Sequence, residues 1–163
     1  MKRIKKCQQG LTLVELLVVF GIITLLFSIG VVSIMNIKVI TSNNTSTNVI
    51  VSDLKNQQIK AMTGDTEGRG IPDNYGVKIL SNKYVLFHGL AYNSSDTANF
   101  QVPIDNGFTL SSTFPNATIV YASGSGELLG FVANQNAIKI TNSSSGQSKT
   151  IHLNKYGTIT DIN

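Results

Sequence analysis

Hydrophobic and polar positions divide the chain into three stretches. From Leu16 to Met35 there are twenty consecutive residues without a charge, enough for about 30 Å of helix at about 1.5 Å per residue. Beyond Met35 the apolar density falls, but Ile50, Val51, Leu54, Ala61 and Met62 recur at spacings close to one helical face. The helix is therefore predicted to continue to about Met62, with the Thr41 to Asn48 run, rich in Ser, Thr and Asn, as the place where it would bend or break. From Gly64 to Asn74, Gly, Asp and Pro punctuate the chain and predict an exposed loop.

After that loop the period changes to two. Tyr75 to Leu80 and Lys83 to His88 flank Ser81-Asn82 as a hairpin would. Further strands are predicted at Phe108 to Ser111, Thr118 to Tyr121, Gly130 to Ala133, Ala137 to Thr141, Thr150 to Leu153 and Thr158 to Thr160. Ser143-Ser144-Ser145-Gly146 reads as a hairpin turn. The expected fold class is α+β, with a long N-terminal helix, membrane-spanning in its first half, packed on a C-terminal antiparallel β-sheet domain. The expected divisions are residues 1–10 (a basic leader), 11–35 (transmembrane helix), 36–63 (helix continuation) and 64–163 (an exported β-rich domain).

Charge sharpens this picture. The net charge of +4 equals the contribution of Lys2, Arg3, Lys5 and Lys6, so the remainder of the chain is formally neutral. A basic pI confined to a leader concerns targeting rather than what the domain binds. Four positive charges before the apolar run, against Lys38 soon after it, predict a cytoplasmic leader and an exported C-terminal part. A secretory signal would have a shorter apolar core. The only cysteine, Cys7, precedes the apolar run, which removes internal disulfides, thiolate metal sites and a lipoprotein cleavage site from consideration.

Glu15 is the one ionisable residue at the start of the apolar stretch, where a carboxylate is costly unless it has a task. Gly10-Leu11-Thr12-Leu13-Val14-Glu15-Leu16-Leu17-Val18-Val19 resembles the cleavage and methylation motif of type IV pilins and type II secretion pseudopilins. The resemblance implies that prepilin peptidase cuts between Gly10 and Leu11 and methylates the Leu11 amine. It also implies that Glu15 neutralises the N-terminus of a neighbouring subunit. Two departures stand out: Leu11 occupies a position that is commonly Phe, and the segment lacks the Pro that many relatives carry near Val32. More loosely, Asn74-Tyr75-Gly76-Val77, Lys83-Tyr84-Val85-Leu86-Phe87 and the closing Lys155-Tyr156-Gly157-Thr158-Ile159 resemble H-type minor pseudopilins.

The implied role is a structural, non-enzymatic, minor subunit of a type IV pilus or secretion pseudopilus. Its implied partners are prepilin peptidase, sister subunits, an inner-membrane assembly platform and membrane lipid. The competing reading is a filament-displayed binding module for DNA uptake or surface adhesion. Lys139, Lys149 and Lys155 are scattered in sequence, which argues against nucleic acid.

No cofactor is expected. His88 and His152 lack metal-ligand spacing and read as exposed or satisfied strand residues. Ser123-Gly124-Ser125-Gly126 lacks the strand-to-helix context of a nucleophile elbow. Asp65, Glu67 and Asp73 are weak Ca²⁺ candidates, without the spacing or closing Glu of an EF-hand loop.

Overall fold

The computed structural model describes the backbone of residues 12–163, and side chains outside 28–44. Among the described residues the elements are those of an α+β structure, a helix and eight strands: α1 (Leu13–Thr63), β1 (Tyr75–Ile79), β2 (Lys83–His88), β3 (Phe100–Pro103), β4 (Phe108–Ser112), β5 (Thr118–Tyr121), β6 (Ala137–Asn142), β7 (Ser148–Leu153) and β8 (Ile159–Ile162). The chain divides into two units, Met1–Ile40 and Thr41–Asn163, each taken by itself below.

In the second unit, the strands form two four-stranded sheets of order β3-β2-β1-β5 and β4-β6-β7-β8, all pairs antiparallel. The core includes inward residues of both sheets, among them Tyr75, Val77, Ile119, Leu110, Ile138 and Ile151, together with Ile50, Leu54 and Ala61 of α1. Among the described residues of α1, those buried are Ser46, Thr47, Ile50, Leu54, Gln57 and Ala61, and from Thr47 onward they recur every three to four residues, as one face of a helix requires.

Polar contacts fix the helix against the strands. The Tyr84 hydroxyl of β2 donates to the Asp53 carboxylate. Gln58 donates to the carbonyls of Tyr156 at 2.7 Å and Gly126 at 3.1 Å. The end of α1 is set by Gly64, whose φ of +64° lets its N–H reach the Ala61 carbonyl while that of Asp65 reaches the Lys60 carbonyl, the double closure of a Schellman motif.

Several expectations are revised. At residues 41–48, where the sequence left a bend or a break open, the backbone is helical. Thr47 and Ser46 are buried, and the Ser46 hydroxyl donates to Asp105 at 3.2 Å, so tertiary contact overrides poor propensity. The expected antiparallel β-sheet domain is made of two sheets, a division that the sequence pattern did not specify. Gly130 to Ala133 is a turn region, where Gly130 and Asn134 take positive φ and Val132 is exposed. Conversely, β3 has no counterpart in the prediction, because this four-residue edge strand ending in Pro103 is largely exposed and carries almost no alternation.

Two buried phenols make a pH prediction. Burial raises the Tyr84 hydroxyl far above its ordinary range, and its hydrogen bond to Asp53 adds to this; Tyr121 is raised by burial alone. Because the folded values lie above the unfolded ones, the stabilisation is complete below about pH 10 and is lost as the unfolded chain ionises above it. Among the described residues the Tyr121 hydroxyl has no hydrogen-bond partner. Tyr121→Phe should therefore leave neutral-pH stability unchanged or raise it by up to about 1 kcal/mol, and flatten the alkaline loss in denaturant titrations.

Candidate processing and assembly site

The chemistry expected at the N-terminus depends on a helix start. Thr12 and Glu15 stand three residues apart, the spacing of a capping box. The Thr12 hydroxyl accepts the Glu15 N–H at 3.3 Å, while Glu15 Oε2 accepts the Thr12 N–H at 2.9 Å and its hydroxyl at 2.9 Å. Two backbone donors that a helix start leaves without intrahelical partners are thereby satisfied by the same two residues. Gly10 and Leu11 lie outside the described residues.

From Leu13 to Phe27 the large apolar side chains are exposed, from 41% at Ile23 to 78% at Leu13. A helix apolar on every side belongs in lipid or among other apolar helices, not in water. Thr24, the polar interruption, returns its hydroxyl to the Phe20 carbonyl at 2.8 Å and so presents no free donor. Among the described residues no helix is long and apolar enough to cross a membrane. The expected span from Leu16 to Met35 runs into residues 28–44, whose side chains lie outside that set.

The residues match a family model described as the prokaryotic N-terminal methylation motif, over residues 5–31. That match supports a type IV pilin-like precursor. This pilin-type motif implies processing by prepilin peptidase, N-methylation and assembly with other pilin-type subunits. The match stops short of the β strands. No curated protein and no solved structure matches the chain.

The Ca²⁺ candidates are engaged elsewhere. Asp65 Oδ1 accepts the Glu67 N–H at 2.9 Å, and Glu67 pairs with Lys60 and with Arg69. Burial alone would raise the Glu67 carboxyl, but the contacts with these two cations outweigh it and hold the carboxyl below its ordinary value. Asp73 Oδ2 meets His88 Nδ1 at 2.9 Å, and Asp96 Oδ2 meets His88 Nε2 at 3.0 Å. Among the described residues no group of three or more His, Cys, Asp or Glu side chains could hold a metal ion.

The Asp73–His88–Asp96 bridge was not legible in the sequence, because its members come from two loops and a strand end. His152 lies on β7 opposite Asp161 of β8. Ser123 to Ser125 form a turn in which the Gly124 N–H donates to the Ala61 carbonyl at 2.8 Å, a structural use of that segment.

Proposed function

We propose that this pilin-like chain is a structural, minor subunit of a type IV pilus or of a type II secretion pseudopilus. It inserts as a single-span precursor with its leader in the cytoplasm and its β-rich part exported. Cleavage falls between Gly10 and Leu11, Leu11 is N-methylated, and the subunit enters the filament through its N-terminal helix at an inner-membrane platform. One observation carries the reading: an apolar helix uncovered on every side begins at a capping box whose Glu15 lies five residues beyond Gly10 in a methylation motif. The two antiparallel sheets, closed by the Asn154 to Thr158 turn into β8, support an H-type arrangement of the exported part.

Glu15 has two separable tasks in this account, a local one as cap and an intersubunit one as anion. Glu15→Gln keeps an acceptor for the Thr12 N–H but removes the charge, whereas Glu15→Ala removes both. If the charge drives assembly, both variants should be processed normally yet fall at least about tenfold in sheared filaments, the equivalent of roughly 1.4 kcal/mol. Normal recovery of Glu15→Gln would assign Glu15 to capping alone and remove the assembly role.

A further inference from the structure

We propose that Asn106-Gly107 is a site of spontaneous self-modification, in which the Asn106 side-chain amide is converted to aspartate or isoaspartate through a cyclic imide. The pair occupies the turn between β3 and β4, closed by a Phe108 N–H bond to the Asp105 carbonyl at 3.2 Å. It is the single Asn-Gly step in the sequence. Both residues are exposed, and Gly107 adopts a φ of +94°.

The reaction needs a backbone nitrogen that can lose its proton and approach the side-chain carbonyl carbon of the preceding residue. Among the described residues, the Gly107 N–H donates no hydrogen bond and the Asn106 amide has no partner. Gly107 also has no side chain to obstruct closure. Asn93 and Asn142, which each precede a serine, are held back. Asn93 Oδ1 accepts the Ser95 N–H at 3.0 Å, and Asn142, which is buried, accepts the Ser144 and Ser145 N–H groups.

The chemistry is balanced with water as the only co-reactant. The Gly107 nitrogen loses its proton and bonds to the Asn106 Cγ, and the side-chain nitrogen leaves as ammonia. Water then opens the ring at either carbonyl, giving a carboxylate at position 106 in its normal or its isomerised backbone linkage. Either product places a new negative charge beside Asp105, which Ser46 of α1 contacts. The isomerised product also inserts a methylene into the backbone next to Gly107, whose carbonyl accepts the Ser143 N–H at 2.7 Å. That bond ties the β3–β4 turn to the β6–β7 turn, so the modification loosens two turns at once and records the age of the chain.

The test is peptide mapping by mass spectrometry of the full-length protein in detergent, incubated at mildly alkaline and at mildly acidic pH, beside a synthetic peptide of residues 103–110. The expected result is a gain of about one mass unit confined to the peptide containing residue 106. It should be faster at alkaline pH, comparable in rate to the free peptide and absent in Asn106→Gln; amide exchange at Ser143 should rise with conversion. Conversion far slower than in the free peptide would overturn the proposal, as would equal conversion at Asn93 or Asn142.

Discussion

Replacement of Gly10 by Val should leave the protein as an uncut precursor, retaining Met1 and the basic leader, in cells where the wild-type chain is processed. Glycine at the position before the cut lets the backbone lie against a protease without a Cβ in the way, and a branched side chain removes that access. The expected effect is all or none, because no other glycine in the sequence is followed five residues on by a glutamate. The precursor should still reach the membrane, since Lys2, Arg3, Lys5, Lys6 and the apolar run are untouched. It should be missing from filaments, because a retained leader keeps charged residues at the end that must pack among apolar helices. Intact-mass measurement of the membrane fraction reads both outcomes, and normal shortening of the Gly10→Val chain would remove the cleavage assignment.

The largest structural effect is expected at Gly76. This residue lies in β1, paired with Phe87 of β2 on one side and Val120 of β5 on the other. A Cβ built there would clash with Phe87 Cζ and stand 2.7 Å from the Ile119 carbonyl oxygen. The ring could rotate only by leaving its buried place, where it is 3% exposed, and the carbonyl belongs to the backbone of the neighbouring strand and cannot yield cheaply. Gly76→Ala should therefore cost about 3 kcal/mol, the upper end of ordinary overpacking, and Gly76→Val more. Phe87→Leu in the Gly76→Ala background should recover part of the loss but not all, since the Ile119 carbonyl remains. Chemical denaturation in detergent checks this, and a Gly76→Ala stability within about 0.5 kcal/mol of wild type would contradict the close-packed reading.

Gly76 also illustrates how much of the fold could be read in advance. A glycine inside an alternating apolar segment can mark a close approach of neighbours, a signal in Tyr75-Gly76-Val77 that the strand reading above left unused. The strands with a clear period of two, such as Tyr75 to Ile79, Lys83 to His88 and Ala137 to Asn142, lie close to where alternation puts them. Alternation gives the inward face but not the partner, so the split into two sheets was invisible. Phe100 to Pro103 lacked even alternation, because an exposed edge strand has no core face to encode.

The helix shows a different limit. The Thr41 to Asn48 run is poor helix-forming material and left a bend or a break open; Ser46 and Thr47 are buried in the folded chain, and that packing outweighs a propensity penalty of at most about 0.7 kcal/mol per residue. At the N-terminus, local spacing was enough. Thr12 and Glu15 are close in sequence, so their reciprocal capping follows from the pattern itself. The Asp73–His88–Asp96 bridge is assembled only by the folded chain, and no spacing announced it.

The most direct test of the central claim is the N-terminal mass and sequence of the wild-type protein, purified from cells with and without an active prepilin peptidase. The account predicts a mature chain beginning at N-methylated Leu11 when the peptidase is active, and the full precursor from Met1 when it is not. A chain that keeps its first ten residues in the presence of the peptidase, or begins at any residue other than Leu11, would contradict it.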